Sequence, residues 1–586
     1  MLMKTAALVV SIGLASAMYG ADPVAPNAYI QHNLVSDQAG KADVTDPNLV
    51  NPWGISESSA SPFWISNNHS GNTTLYNGSG AIIPLVVTIP LPAGQTGLSS
   101  PTGQVATNGV QAFQLANGKP AVFIFDSEDG TIAAWNGGAA ATLMVDNSAS
   151  GAVYKGLALG ANASGPLLYA ANFHAGTVDV FDGTFKPATV AGGFKDSTIP
   201  AGFAPFNVAN LGGKLYVAYA KQDDEKHDDV AGAGNGFVNV FDMDGNLQKR
   251  LVSNGPLNSP WGLAIAPATF GAFPGALLVG NFGSGNVNAI DPAVGTVLGT
   301  LADTKGNPIA IEGLWALQFG NGKNGGDQNT LYFTAGPGDE SHGLFGSIAP
   351  PAAISGILNA ASNTAGPIAP GEAVTLTGLT IGPSPLVAAQ FSSSKPLESK
   401  LAGAGVTFNG TPGAVLYASA SQTAVMVPYE LSGATSVNVE VSFQGQTTAS
   451  FPVSMAPAAP GLFTSDASGS GQALAFNADG TVNGEKNAAA SGSVIILFAT
   501  GEGLTNPGGE DGVVTTNILH TPQLPVSLTI GGKTAEVTYA GSAPGLVEGV
   551  MQVEAIVPQG AGTGDVAVVL TVGTVNSQSG VTIALQ

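Results

Sequence analysis

A glycine followed five residues later by a large apolar residue recurs six times in register, each time where an apolar strand turns back into an alternating one. The glycines are Gly71, Gly130, Gly176, Gly236, Gly285 and Gly343, and their partners are Tyr76, Trp135, Phe181, Phe241, Ile290 and Ile348. The clearest copy runs from Leu277 through Val279, Asn281 and Gly285 to Asp291. Glycine suits the positive-φ position of a hairpin loop. The apolar residue then falls on a fixed face of the outgoing strand, because strand side chains alternate. Successive glycines are 59, 46, 60, 49 and 58 residues apart. That is the length of a four-stranded propeller blade with insertions.

A second landmark precedes each hairpin: a residue X, then Gly, then an apolar residue. The copies are Trp53-Gly54-Ile55, Asn108-Gly109-Val110, Lys155-Gly156-Leu157, Trp261-Gly262-Leu263 and Glu312-Gly313-Leu314, with Phe206-Asn207-Val208 as a variant. Two landmarks in fixed order, six times, predict a six-bladed β-propeller over residues 22–350. Tyr29 to Val35 alternates and precedes the first inner strand. Its expected role is to complete the last blade and cover an exposed edge.

The 586 residues exceed what one core supports, so further domains are expected. Charged residues are 10% and hydrophobic residues 44%, with 81 Gly and 38 Pro, which fits short strands joined by tight turns. The formal charge of −22 and the scattered Lys and Arg argue against binding to nucleic acid or an anionic membrane. No cysteine is present, which removes disulfides, thiolate metal sites and a Cys nucleophile. Met1 to Lys4, an apolar run to Leu14 and Ala15-Ser16-Ala17 read as a secretory signal within residues 1–21, cleaved near Ala17. The expected location is extracellular or at the cell surface, with the periplasm as an alternative. No stretch reads as a transmembrane helix.

Past Ala349-Pro-Pro-Ala-Ala353 the blade pattern stops and a different repeat begins. Val406 to Tyr417 matches Val526 to Tyr539, and Ala424 to Pro428 matches Val553 to Pro558. Two immunoglobulin-like β-sandwiches are predicted, at 353–456 and 457–586. The fold class is therefore all-β.

The recurring Trp-Gly-Ile/Leu, Asn-x-x-x-Gly-x-Val and Phe-Asp resemble NHL-type propellers. Asn33 to Asp37, Leu49 to Gly54 and Lys226 to Val230 resemble an uncharacterised family of secreted bacterial propellers. Leu358 to Ser362, Pro460 to Phe463 and Val427-Pro428 resemble a C-terminal module of acidobacterial secreted proteins, similar to tandem IPT/TIG domains. These resemblances imply fold and secretion; none implies a reaction.

In a blade, the loop entering the inner strand and the middle hairpin loop open on one face. Trp53, Asn108, Lys155, Phe206, Trp261 and Glu312, with His69 and His174 from hairpin loops, are therefore the candidate ligand site. The fourth hairpin loop carries the densest charge in the chain, Lys221 to Asp229, and Glu128 lies in another. Aromatic faces beside a few polar groups suit a small saccharide or peptide. No cofactor is expected, but Glu312, Asp126, Asn172 and Asn281 offer oxygen ligands for Ca²⁺. No Gly-x-Ser-x-Gly elbow and no His-Glu-x-x-His is present. The favoured reading is a non-catalytic binding or scaffold protein for a cell-surface polysaccharide, peptide or protein. The sandwiches would then form a spacer or attachment arm. The alternative is a Ca²⁺-dependent hydrolase such as a lactonase, with His69 or His174 as base.

Overall fold

The structure, a computed structural model, describes residues 27–586 except Ser384 and Asn517. The expected signal sequence and its cleavage point lie outside the described residues. The chain divides after Pro350 into two compact units.

The first unit contains six successive antiparallel sheets. Their inner strands are Pro52–Ser56, Pro101–Ala106, Tyr154–Asn162, Phe203–Leu211, Pro260–Ile265 and Leu314–Phe319. Each inner strand neighbours the next in chain order, and the sixth neighbours the first, so the sheets close a ring. Four sheets have four strands and the third has three. The sixth is completed by Ile30–Ser36, which runs antiparallel to Leu344–Ala349, with Ile30 opposite Ala349 and Ser36 opposite Leu344.

The hairpin register explains the cores. Phe181 packs with Ile124 and Ile132 of the preceding sheet. Phe241 does the same with Tyr169 and Val180, Ile290 with Tyr216 and Val238, and Ile348 with Leu278 and Ala289. Trp135 borders Trp64 and Leu75, and Tyr76 joins Tyr332 and Phe345 across the closure of the ring. One residue position thus supplies the wedge between every pair of sheets. Full burial of such a side chain contributes about 1.5–3 kcal/mol.

The X-Gly landmark is a β-bulge. In the first sheet Pro52 pairs with Asn67 and Ile55 with Ile65, so Trp53 and Gly54 oppose one residue. The same two-against-one step begins the second, third, fifth and sixth inner strands. A bulge re-aims its side chain, and here X turns towards the axis. Glycine follows because adjacent inner strands almost touch there. A Cβ on Gly54 would lie 2.4 Å from the Thr102 carbonyl oxygen, and one on Gly262 would lie 2.6 Å from that of Trp315. The variant Asn207 instead donates through Nδ2 to the Trp261 carbonyl at 2.7 Å.

This register corrects two landmarks. Asn108-Gly109 lies in the turn after the second inner strand, and Glu312-Gly313 just before the sixth. The true equivalents are Pro101-Thr102-Gly103 and Leu314-Trp315-Ala316.

The second unit is also all-β. Its first part holds a five-stranded and a six-stranded sheet with Val374, Val406, Val425 and Val439 between them. Its last part forms one connected ten-stranded sheet, where separate sandwich sheets were expected. The long strand Lys533–Ser542 causes this by pairing with Val526–Ile530 at one end and Val550–Ile556 at the other. The unit buries Glu372, Glu502 and Glu548, each at most 2% exposed.

Candidate functional site

The bulged residues converge on an aromatic plug. Trp53 stacks on Trp315 with centroids 3.5 Å apart, and Phe282 stacks on the other side of Trp315 at 4.1 Å. Trp261 and Phe206 meet Trp53 edge-on at 6.2 and 6.5 Å. All four bulge aromatics are at most 4% exposed. Trp53, Phe206 and Trp261 are therefore not the flat solvent-facing surfaces expected of a saccharide platform. They share their faces with one another because six small sheets leave an axis that ring-sized side chains fill.

Lys155 stands among them, 1% exposed, with Nζ 5.0 Å from the Trp53 ring centroid. A buried ammonium needs opposite charge. Glu128 Oε1 accepts from Nζ, as does Asp228 Oδ1 at 2.9 Å. Burial alone would lower the Lys155 pKa, but these carboxylates outweigh it and the net direction is up. Asp228 also meets His227 Nδ1 at 3.1 Å. That hydrogen bond holds Asp228 well below the usual carboxylate range, with the charge of Lys155 adding to it, and it raises His227 against the opposing charge of Lys155.

The network continues through asparagines. Asn68 Nδ2 donates to Glu128 Oε2 at 2.8 Å, and Asn51 Nδ2 to Glu340 Oε2 at 2.6 Å. Trp315 Nε1 donates to Asn51 Oδ1 at 3.0 Å, which ties the network to the plug. Burial raises Glu340 to about 7; its bond from Asn51 opposes this, and the charge of Glu128 adds to it. Burial also raises Asp229. The loops here are conformationally unusual. Asn51, Lys226, Ser259, Asp339 and Glu340 all have φ between +47° and +63°. Left-handed non-glycine residues are uncommon and concentrate at sites where the surrounding structure holds them.

The remaining expected residues stand apart from this network. His69 is exposed and His174 half-buried in their own hairpin loops, and Asn108 is exposed beyond the inner strand. Glu312 is exposed and accepts from the Gly338 amide at 3.0 Å. Asn172 donates to Asp179 at 2.9 Å and Asn281 to Asn288 at 2.8 Å, each across its own hairpin. Asp126 is buried, accepts from Thr102 Oγ1 at 2.9 Å, and is raised by burial to about 7. The four residues expected to ligate calcium thus bond within separate blades, and of their carboxylate oxygens Asp126 Oδ2 is buried without a partner. Among the described residues, Glu128, His227 and Asp228 are the group of three whose ligand atoms lie within 4.8 Å of one another. The Lys155 ammonium bonds two of these three.

Glu340, Asn51 and Trp315 had no signal in the X-Gly pattern. The proline before X at positions 52, 205 and 260 was one, since Pro101 marks Thr102 in the same way.

A closed ring of sheets with a plugged axis and a charged loop face defines the class: a β-propeller protein. Relatives narrow it. The chain is 34% identical over 327 residues to "Uncharacterized protein R648" of Acanthamoeba polyphaga mimivirus, covering 54% of this chain and 78% of that protein. It is 32% identical to "Uncharacterized protein L690" of the same virus, covering 54% and 84%. The chain belongs to the family of these two proteins. No family model matches it. Among solved structures, a streptogramin B lyase is similar at 9% identity and a TM-score of 0.33, covering 55% of this chain and 96% of that one. An auxiliary nutrient binding protein from Bacteroides thetaiotaomicron is similar at 13% identity and 0.32, covering 51% and 68%. Likenesses at such scores carry no weight for activity. No helix of the described residues is long and apolar enough to cross a membrane.

Proposed function

We propose that this chain is an exported binding protein whose six-bladed propeller captures a cationic group, such as an amine or a basic peptide side chain, at its loop face. One observation carries the reading: Glu128 and Asp228 both bond a single ammonium, Lys155, and Glu340 lies within electrostatic reach of all three, so carboxylates outnumber cations. Glu340 is held up near neutrality by burial and by this crowding. A cation bound above Lys155 relieves the crowding and favours the ionised form. The exposed edge, with Asp228 and half-buried His227, gives access. The second unit, read as tandem immunoglobulin-like domains, acts as spacer or attachment arm. The signal pattern at residues 1–17 supports export.

Calorimetric titration with agmatine, cadaverine and a Lys/Arg-containing peptide tests this. Binding is expected to strengthen from pH 6 to pH 8, as Glu340 loses its proton near pH 7, and to weaken with salt. It should be lost in Glu340→Gln. Equal binding of an acidic peptide, or silence from every cationic probe, overturns the reading.

The Glu128–His227–Asp228 group supports a second reading, a metal-dependent hydrolase such as a lactonase, in which the Glu128 and Asp228 carboxylates hold Ca²⁺ and His227 borders the substrate. It requires the ion to share or displace the position of Lys155 Nζ. Turnover on a lactone and ester panel, removed by EDTA and by Asp228→Asn, would establish it.

A further inference from the structure

The loop that presents Glu340, residues 336–343, carries three left-handed residues in a row. Gly338, Asp339 and Glu340 have φ of +69°, +56° and +63°. L-residues take that conformation singly, because Cβ crowds the next carbonyl, and glycine relieves only the first position. Such a turn persists only where its surroundings hold it.

It is held at both ends. At the start, the Gly336 amide donates to the Gly313 carbonyl at 2.9 Å and the Gly338 amide to Glu312 Oε1 at 3.0 Å. At the end, Asp37 accepts from His342 Nδ1 and from the Gly343 amide, each at 2.8 Å. A carboxylate only accepts, so Nδ1 carries the proton. Ser36 Oγ adds a bond to the Gly343 carbonyl at 2.8 Å. Asp37 directly follows Ile30–Ser36, the strand that closes the ring, and Gly343 directly precedes its partner Leu344–Ala349. The Asp37–His342 pair therefore spans the seam. From there the contacts run on to the loop face. The His342 carbonyl accepts from the Asn51 amide at 3.1 Å, and Asn51 Nδ2 donates to Glu340 Oε2 at 2.6 Å.

We propose that Asp37 and His342 are positioning residues of the cation site: their pair clasps the left-handed turn across the seam and so fixes where Glu340 stands. This rests on the cation site proposed above, and it makes that site conditional on closure of the ring. Without the clasp, Asp339 and Glu340 relax to ordinary φ and the Glu340 carboxyl swings away from Asn51 towards water.

Infrared titration, hydrogen exchange and agmatine calorimetry on the full chain test it. The Glu340 carboxyl, identified by its loss in Glu340→Gln, titrates near 7 in the parent. In His342→Ala it should fall towards the ordinary glutamate value. Amide exchange at residues 338–343 should speed up about tenfold or more as the turn opens, and agmatine should bind about tenfold more weakly. The His342 side chain is 39% exposed, so its truncation opens no hole in a core and the ring still folds. His342→Asn, whose amide nitrogen stands where Nδ1 stood, keeps a donor for Asp37 and should restore all three readings. The infrared and exchange measurements need no ligand, so they decide the clasp even where no cationic probe binds the parent, a result that would overturn the cation site instead. The clasp is refuted if Glu340 still titrates near 7 in His342→Ala, if agmatine binds that variant as it binds the parent, or if His342→Asn behaves like His342→Ala.

Discussion

The two units hold carboxylates in opposite ways. At the propeller's loop face, half-buried Glu128 and exposed Asp228 both bond the buried Lys155 ammonium, and Asp228 is held below the usual carboxylate range. In the second unit, Glu372 accepts from Asn359 Nδ2 at 2.8 Å and from the Ala369 amide at 2.6 Å, with no cation beside it. Glu502 is fully buried and neither of its oxygens has a partner. Burial raises both to about 8, and the charge of Glu548 adds to the rise at Glu502. A carboxyl without a counter-charge sheds its own charge; one beside an ammonium keeps it. Burial alone therefore does not mark a functional acid. The proposed cation site rests instead on the loop-face carboxylates gathered around Lys155.

Breaking the ionic side gives the largest effect. Lys155→Met leaves Glu128 without the cation it bonds, while exposed Asp228 can turn to water, and the loss of stability should be about 1.5–3 kcal/mol. Denaturant unfolding of the full chain measures it. A loss near zero would mean the carboxylates reach water when the lysine is removed.

The neutral side responds to alkali. The folded-state value of Glu502 lies above that of an unfolded glutamate, so the folded chain holds the extra proton between these values. The contribution of Glu502 is complete below about pH 4.5 and is lost as pH rises through about 8. Glu502→Gln should flatten that decline and leave stability at pH 6 within about 1–3 kcal/mol. Hydrogen exchange at Val494–Thr500 and Val550–Ile556, followed from pH 6 to pH 9, reports it locally. Asp228 has the opposite sign: its lowered value gives a contribution present at neutral pH and lost on acidification.

The smallest effect sharpens the boundary between the two behaviours. Glu340 lies at the loop face, yet its value is raised like those of the second unit. Glu340→Gln should change stability by less than about 1 kcal/mol, since Asn51 can bond an amide almost as well. An infrared carboxyl signal titrating near pH 7 in the parent and absent in the variant would confirm the assignment.

The wedge residues were legible in the sequence because one spacing fixes both turn and face. Every partner from Tyr76 to Ile348 sits in an inter-sheet layer. The bulge was half legible. In the second and sixth sheets a decoy X-Gly-apolar triplet stood near the true one, and there X is Thr102, not aromatic, or the glycine is replaced by Ala316. The charge network was not legible as a network. Asn51, Glu128, Lys155, Asp228 and Glu340 come from five sheets, and no spacing within one strand encodes a contact made across the axis. Lys221 to Asp229 did carry a signal, as the densest charge in a charge-poor chain.

The strand Ile30–Ser36 has a consequence for how the ring is made. Its partner, Leu344–Ala349, lies at the far end of the unit, so the first strand synthesised waits for the last. Contacts this distant in sequence make folding slow and leave strand edges open meanwhile. A nascent chain cannot circularise before residue 349 emerges. Once the seam zips, the ring has no free start from which to unravel, and its lifetime is set by the rate at which that one seam opens.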